Sequence, residues 1–285
     1  MKIASKFAMI LVSSLMLLAA VSPALALTVP AMGPRMHLTD LNNQNYSTNW
    51  SGYAVTAASG STFSSVSGSW TVTSLTGAGT AYAAFWVGID GYSSSTVEQT
   101  GTLSISSTTS TRHGSTTTYT YYAWYEFYPA NMYEITQATS TSTGKPVAAT
   151  VTPGDSISAS VTYTGNNVFS VTIADSTKSW TFTTTGTVSN AARSSAEWIA
   201  EAPSSSRGVL PLADFGTVSF TNCYATLSGS STPQNIYSFG SNVQSIEMAS
   251  ETYNFRTHSY VITPEATPSL LGSDGASFGV TWNSA

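Results

Sequence analysis

The sequence predicts an all-β protein, built as a two-sheet antiparallel β-sandwich. The first observation is a series of segments in which apolar and polar residues alternate, as in strands with one buried face: GSWTVTSL, YAAFWVGI, TYTYYAWYEFYP, SISASVTYT, NVFSVTIAD, KSWTFTTT and FGTVSFTNCYATL. The second is that Gly, Asn, Pro or Asp-Ser separates these segments, while β-branched and aromatic residues fill them. The third is that no convincing amphipathic helix of ten or more residues occurs. This many strands in one chain favour two packed sheets.

The first residues indicate the compartment. Lys2 and Lys6 precede an uncharged apolar run that ends in Ala-Leu-Ala at residues 24–26. This is the pattern of a cleaved secretory signal, and its strongly apolar part is short for a membrane span. We therefore predict a signal peptide over residues 1–26 and a secreted, extracellular protein with no membrane association after cleavage.

The rest of the chain divides at the point where strand-like alternation begins. Residues 27–48 have two prolines and no clear periodicity, and we predict that they form a short pro-segment. Residues 49–285 are predicted to form a single β-sandwich domain. Within it, the segment GDSISASVTYTGNNVFSVTIAD predicts a β-hairpin that turns at residues 165–167.

The composition is unusual because only 8% of the residues are charged, with a formal net charge of −5. Seven Trp, fifteen Tyr and eleven Phe supply ample core, which disordered chains lack. The chain has nine Lys and Arg residues, too few for the basic surface that a nucleic-acid-binding protein needs. Because carboxylates and cations are both few, acid removes few ion pairs and leaves little self-repulsion. We predict an acid-tolerant monomer that binds no nucleic acid.

Cysteine and metal chemistry are poorly represented. Cys223 is the single cysteine, so there is no intrachain disulfide, and its strand-like context predicts a small buried apolar residue. The three histidines, at positions 37, 113 and 258, form no motif with it, and no HExxH or close His/Cys cluster occurs. The sequence predicts neither a metal site nor a cofactor.

Two glutamates stand out in the segment AEWIAEAP. On a strand, Glu197, Ile199 and Glu201 face one way. Two carboxylates beside an isoleucine are odd for a plain solvent face, and they suit the floor of a cleft. In the segment YYAWYEFYPA, Glu126 shares a face with Trp124 and Tyr128, an environment that raises a carboxyl pKa by desolvation.

Six segments, in this order and at these spacings, resemble the glutamic peptidases, the eqolisin family or peptidase family G1: NWSGY, FWVGIDG, EQTG, WYEFYP, AEWIAEAP and PLADFGTVSFTNC. No single motif is specific, but the ordered set is. The resemblance runs from about Asn49 to Cys223, and the closing SDGASFGVTW is similar to bacterial members. It implies a β-sandwich of the concanavalin or lectin-like jelly-roll type and a secreted, pepstatin-insensitive acid endopeptidase that acts on polypeptides.

The resemblance also implies roles for particular residues. The family glutamine falls on Gln99 and the catalytic glutamate on Glu201, with Glu197 matching the first glutamate of the same strand. Glu201 would take a proton from water and later give it to the leaving amine. The Gln99 amide, which does not titrate, would stabilise the developing oxyanion. The supporting residues are expected to be Trp86, Trp124 and Tyr128 as cleft walls, and Asp90, Glu126 and Glu197 as hydrogen-bonding and electrostatic neighbours.

The chain departs from the fungal pattern of the family in three places. Tyr122 stands where an Asp often precedes Ala-Trp-Tyr-Glu, and Ala202-Pro203 replaces an acidic-aromatic pair. These two changes bear on the pH optimum and on substrate preference. Cys223 matches a half-cystine whose partner is missing. The chain therefore lacks that disulfide of the family, a change that should leave catalysis intact.

Two other functions fit parts of the pattern. A β-sandwich glycoside hydrolase could use paired glutamates in an aromatic cleft, but this leaves Gln99 without a role. A non-catalytic carbohydrate-binding sandwich would account for the aromatic residues, but not for two glutamates on one strand.

Overall fold

A computed structural model describes residues 31–38 and 45–285. The predicted signal peptide and the rest of the predicted pro-segment before residue 45 lie outside the described residues. The described part is rich in sheet, as its alternating sequence predicts, and one 3-10 helix, Ile236–Asn242, interrupts the strands. Within these residues, no helix is long and apolar enough to cross a bilayer.

The strands vary in length from two to fifteen residues. In chain order they are β1 (Tyr46–Ser47), β2 (Trp50–Thr56), β3 (Phe63–Thr71), β4 (Ala81–Ile89), β5 (Val97–Thr111), β6 (Gly114–Tyr128), β7 (Tyr133–Ile135), β8 (Gln137–Ser140), β9 (Pro146–Ala148), β10 (Ser156–Gly165), β11 (Val168–Asp175), β12 (Trp180–Thr187), β13 (Ser195–Glu201), β14 (Ser204–Ser205), β15 (Gly208–Val209), β16 (Thr217–Leu227), β17 (Gln234–Asn235), β18 (Val243–Asn254), β19 (Ser259–Pro268) and β20 (Phe278–Trp282).

The main strands pair in two sets that share β18. The front set runs β7-β6-β5-β4-β13-β2-β18. The back set runs β9-β8-β12-β11-β10-β3-β16-β20-β19-β18. These pairings are antiparallel, whereas the short β1 pairs with β18 in parallel. The fold is therefore all-β and sandwich-like, as predicted, and the jelly-roll topology stays a prediction.

The main apolar core joins the two sets. Alternate residues of each strand contribute to it, among them Phe85 and Trp198 from the front set and Phe169 from the back set. Two indole N–H groups cross between the sets: Trp70 donates to the hydroxyl of Thr102 at 3.0 Å, and Trp198 donates to the carbonyl of Ser67 at 2.7 Å. These contacts hold β5 and β13 in place from behind.

A second apolar cluster covers the other face of the front set. We call it the cleft cluster; it consists of Met32, Trp50, Ala54, Ala84, Trp86, Val97, Leu103, Tyr122, Trp124, Met132, Ile199 and Ile246. Gly101 lies between Trp86 and Trp124 in the strand register. A Cβ at Gly101 would lie 2.1 Å from the carbonyl oxygen of Phe85 and 2.6 Å from Cβ of Trp86, so only glycine fits there.

Two local predictions are confirmed. The predicted hairpin is formed by β10 and β11, which pair from Ile157 with Asp175 to Gly165 with Val168. Cys223 is fully buried and carries a free thiol. Its place in β16, within the main core, is that of a small apolar side chain.

Candidate active site

The cleft floor consists of rows of residues that face each other across the front set. One row runs from Glu126 on β6 through Gln99 and Gly88 to Glu197 on β13. All three side chains of this row are fully buried. A Cβ at Gly88 would lie 3.2 Å from Cβ of Gln99, so the glycine leaves room for the amide side chain.

Gln99 is held by both protons of its amide nitrogen. Nε2 donates to Oε2 of Glu126 at 2.9 Å and to the backbone carbonyl oxygen of Met32 at 2.6 Å. Because an amide nitrogen has two N–H groups, Glu126 fixes one of them and thereby directs the other at a peptide carbonyl. The geometry is that of a donor to carbonyl oxygen.

Glu201 lies on the same face of β13 as Glu197, as the alternation predicts. Its Oε2 accepts a hydrogen bond of 2.8 Å from the indole N–H of Trp86, and its Oε1 accepts one of 3.5 Å from the amide of Asn49. Burial raises its pKa well above the usual range, and the nearby Glu126 raises it further. The donors Trp86 and Asn49 and the backbone amide of Gly33 act in the opposite direction.

Glu126 is the electrostatic neighbour of Glu201. It is fully buried, and burial raises its pKa well above the usual range, as predicted from its aromatic surroundings. Hydrogen bonds from the backbone amide of Met32 and from Gln99 lower that pKa in part. Two carboxyl groups this close titrate as a pair, so Glu201 does not work in isolation.

Glu197 has different neighbours from those expected. Burial raises its pKa well above the usual range, and the charges that raise it further belong to Asp90 and Glu98. Burial, with a smaller contribution from Asp90, raises the pKa of Glu98 to about 9. Although Glu197 lies in the same row as Gln99, the charges that act on it are those of Asp90 and Glu98, whereas the charge that acts on Glu201 is that of Glu126.

Asp90 joins the end of β4 to the start of β13. Its carboxylate accepts hydrogen bonds from the backbone amides of Arg193 and Ser194, at 2.6 and 2.9 Å, and from the Ser194 hydroxyl at 3.1 Å. Asp90 has a φ of 71°, which is uncommon for a non-glycine residue. It anchors the start of the strand that carries Glu197 and Glu201, and its charge raises the pKa of Glu98 and Glu197.

Aromatic side chains form the floor and one wall of the cleft. The rings of Trp50 and Trp86 meet edge to face at 4.9 Å, and Trp124 is fully buried beside them. Tyr128 is partly exposed and lines an adjacent groove of about 750 Å³. Trp86 and Trp124 thus act as floor rather than as walls of this groove.

The remaining groove wall comes from β4 and from the turn between β14 and β15. The groove residues are Ala31, Gly33, Pro34, Met36, Tyr82, Tyr128, Ser204, Ser205, Ser206, Arg207 and Leu210. Tyr122, one of the departures from the fungal pattern, lies outside the groove, in the cleft cluster, where it pairs with Leu103. Among the residues that the structure describes, no group of three or more His, Cys, Asp or Glu side chains could hold a metal ion.

The model of the peptidase A4 family matches residues 48–261. The chain belongs to the peptidase A4 family. The fungal enzyme aspergillopepsin-2 of Aspergillus niger is 33% identical over 219 residues, which make up 68% of this chain and 70% of that protein. Together they establish a glutamic peptidase, a hydrolase that acts on polypeptides, and confirm the resemblance read from the six motifs.

Solved structures of the family have the same fold. Scytalido-glutamic peptidase, in a complex with a transition state analog inhibitor, aligns with a TM-score of 0.58 at 25% identity, over 83% of this chain and 98% of that one. SCP-B, a member of the eqolisin family in a complex with the tripeptide Ala-Ile-His, aligns with a TM-score of 0.52 at 24% identity, with the same coverage. At 24% identity, the similarity to SCP-B shows a shared fold alone. Membership of a bacterial subgroup stays a prediction.

Sequence reasoning left three residues of this glutamic peptidase without a role. Asn49 donates to Glu201, Trp50 packs on Trp86, and Glu98 lies behind the floor beside Asp90. Asn49 and Trp50 open the motif NWSGY, which carried the resemblance. Glu98 immediately precedes Gln99, and its position on the opposite face of β5 follows from strand alternation.

Proposed function

We propose that this glutamic peptidase is a secreted acid endopeptidase in which Glu201 activates water and Gln99 stabilises the oxyanion. The observation that carries the proposal is the convergence of three side chains from β5, β6 and β13. Gln99 donates to Glu126 at 2.9 Å, and Glu126 is near enough to Glu201 to raise its pKa. The glycoside hydrolase and the carbohydrate-binding module are not favoured by the family assignment.

The chemistry follows from the two groups. Ionised Glu201 takes a proton from a water molecule, which attacks the carbonyl carbon of the peptide bond. The second N–H of Gln99 donates to the carbonyl oxygen as negative charge develops there, a contribution of roughly 2.7–4 kcal/mol at such sites. Protonated Glu201 then gives its proton to the leaving nitrogen. Trp86 keeps the carboxyl in position through its hydrogen bond to Oε2.

The acid working range depends on the state of the cleft. Burial is the main cause of the raised pKa of Glu201, and residues 32–33 contribute to that burial because they lie against Gln99 and Glu201. When a peptide leaves and water enters, the pKa of Glu201 falls toward that of an ordinary carboxyl.

The organisation of the precursor belongs to the same proposal. Export removes residues 1–26, a further cut near residues 45–49 releases the pro-segment, and residues 49–285 work as a monomeric jelly-roll domain. N-terminal sequencing of the secreted protein tests this order. A fully active form that retains residues 27–45 would contradict the pro-segment.

Hydrolysis of denatured casein from pH 2 to pH 7 tests the activity itself. We expect an acid maximum, no effect of a chelator, and no effect of pepstatin, since the chain lacks Asp-Thr/Ser-Gly motifs. Gln99→Ala should lower kcat by roughly 10²–10³-fold, whereas Gln137→Ala, on the exposed part of β8, should leave it unchanged. Loss of activity on chelation, or a maximum near pH 8, would refute the proposal.

A further inference from the structure

A short stretch of the chain, residues 31–38, lies across the candidate active site; we call it the cleft segment. At one end, Ala31 and Ser204 exchange two backbone hydrogen bonds of 2.9 and 3.0 Å, as in an antiparallel strand pair. Further along, the amide of Arg35 donates to the carbonyl of Gly91 at 3.0 Å. The cleft segment is therefore tied to both sides of the catalytic strands, as an extended peptide substrate would be.

Three consecutive carbonyl groups of the cleft segment receive hydrogen bonds from side chains of β5, of β2 and of the residue directly before β2. Gln99 donates to the carbonyl of Met32 at 2.6 Å. The indole of Trp50 donates to that of Gly33 at 3.2 Å, and the amide of Asn49 to that of Pro34, also at 3.2 Å. Because the contacts are made to backbone oxygens, the cleft recognises a peptide chain independently of most of its side chains.

One peptide bond faces both catalytic candidates. The carbonyl oxygen of Met32 is bound to Gln99, and the amide of Gly33, on the other side of the same bond, approaches the carboxyl of Glu201. The proposed mechanism needs this arrangement: the donor on the oxygen that becomes negative, and the acid beside the nitrogen that leaves. No other bond of the cleft segment is described with contacts to both groups.

The side chain before this bond occupies an apolar pocket. Met32 is fully buried within the cleft cluster. Met36, four residues later in the cleft segment, is 40% exposed. Of the two methionines, the one whose carbonyl meets Gln99 is thus the one that the cleft encloses, which is the relation expected of a specificity pocket.

We propose that the Met32–Gly33 bond is the chain's own first cleavage site, and that the pocket around Met32 selects a large apolar residue on the amino side of the scissile bond. This inference rests on the proposed function and extends it to a substrate class. Until the bond is cut, the cleft segment excludes other peptides and acts as an intramolecular inhibitor.

The reaction consumes one water molecule. Glu201 takes a proton from the water as its oxygen bonds to the carbonyl carbon of Met32, and Gln99 stabilises the resulting oxyanion. The C–N bond then breaks, and Glu201 returns the proton to the nitrogen of Gly33. The products are a carboxylate at Met32 and an amine at Gly33. Burial under the cleft segment raises the pKa of Glu201, so the rate of this cut should depend on pH.

Mass spectrometry of the full secreted protein during incubation at acid pH tests the inference. We expect a product that begins at Gly33 and a matching fragment that ends at Met32. Met32→Asp should slow this cut at least about tenfold, because a carboxylate cannot replace an apolar side chain in the pocket. Met36→Asp is the matched control and should be cut as the parent, and Met32→Leu should also be cut because its volume is similar.

A synthetic peptide, VPAMGPRMHL (residues 29–38), gives a second measurement that does not depend on folding of the variants. Added to the acid-incubated protein, it should be cut between Met and Gly. Its version with Asp in place of the first methionine should resist. Casein hydrolysis by the same sample measures the proposed function separately.

The outcomes are distinct. If casein is hydrolysed while the Met32–Gly33 bond stays intact in protein and peptide, the inference is wrong and the proposed function stands. Equal cutting of this bond in Met32→Asp and Met36→Asp also overturns it. If neither casein nor the bond is cut, or if Glu201→Gln cuts the bond as fast as the parent, both proposals fail.

Discussion

Gln99 and Glu126 lie directly opposite each other on β5 and β6, and the amide nitrogen of Gln99 donates a 2.9 Å hydrogen bond to the Glu126 carboxyl. The pairing occupies one N–H of the amide and leaves the other for a peptide carbonyl. Glu126 also raises the pKa of Glu201. A single carboxyl therefore orients the amide proposed as oxyanion donor and raises the pKa of the carboxyl proposed as base.

The double role of Glu126 predicts different results for two substitutions. Glu126→Gln keeps an oxygen that can accept from Gln99 but removes the charge, so the acid limb of kcat/KM should move to lower pH while kcat changes little. Glu126→Ala removes the acceptor as well, and kcat should fall at least about tenfold. The exposed Glu134→Gln on β7 is the control. An unchanged pH profile in Glu126→Gln would refute the electrostatic role.

Glu201 and Glu197 share a strand face, and the proposed mechanism gives them different roles. Glu201→Gln keeps the shape of the side chain and cannot take a proton, so casein hydrolysis should fall by roughly 10²–10⁴-fold with the fold retained. Glu197→Gln should cost much less, because the neighbours of Glu197 are Asp90 and Glu98. Initial rates of casein hydrolysis measure the activity of the two variants, and circular dichroism checks that each is folded. An inactive Glu197→Gln beside an active Glu201→Gln would reverse the assignment.

The indole N–H of Trp86 favours the ionised form of Glu201. Trp86→Phe removes this donor but keeps an aromatic ring against Trp50. A hydrogen bond to a charged group contributes about 1.5–3 kcal/mol, so the pKa of Glu201 should rise by about one to two units. The acid limb of kcat/KM should move to higher pH by that amount. Trp180→Phe, a buried indole in the back set, is the control and should leave the limb in place.

Glu98 links stability to pH. Its pKa is raised from 4.5 to about 9 by burial and by Asp90. In the unfolded chain the same carboxyl ionises near its ordinary pKa, so the free energy of unfolding is greatest below about pH 4.5 and falls as pH rises toward 9. Glu126, Glu197 and Glu201 act in the same direction, since their pKa values are also raised.

Urea unfolding at pH 4, 6 and 8 measures this effect. The free energy of unfolding of the parent should fall at each step, and that of Glu98→Gln should fall less. The difference should be about 1.4 kcal/mol for each unit by which folding raises the pKa of Glu98 within this pH range. The exposed Glu134→Gln should follow the parent. Equal slopes for the parent and Glu98→Gln would show that Glu98 does not carry its proton in the folded state.

Strand alternation was enough to predict that Glu197 and Glu201 share a face and that Glu126 is desolvated. It could not predict the neighbours of each carboxyl, because these depend on register between strands that are far apart in sequence. Glu197 faces Gly88 and Glu201 faces Ala84. Register places Glu197 in the row of Gln99 and Glu126, yet the charges that raise its pKa belong to Asp90 and Glu98, while Glu126 raises the pKa of Glu201.

The position of Met32 was beyond the reach of the sequence for another reason. The cleft segment has no periodicity that would indicate a burial pattern, and its contacts are made by backbone groups, which every residue except proline carries alike. The pattern could predict that residues 27–48 differ from the domain. It could not predict that one methionine among them fills the cleft.

The floor and the wall of the site differ in the substitutions that they can accept, as two glycines of the floor show. At Gly88 and Gly101, backbone and indole atoms already occupy the space where a side chain would begin. The groove wall is different, because Tyr82, Tyr128 and Leu210 lie in separate strands and loops with open space before them. Laboratory evolution of a new cleavage preference should therefore vary the residues of the wall and keep these glycines of the floor unchanged.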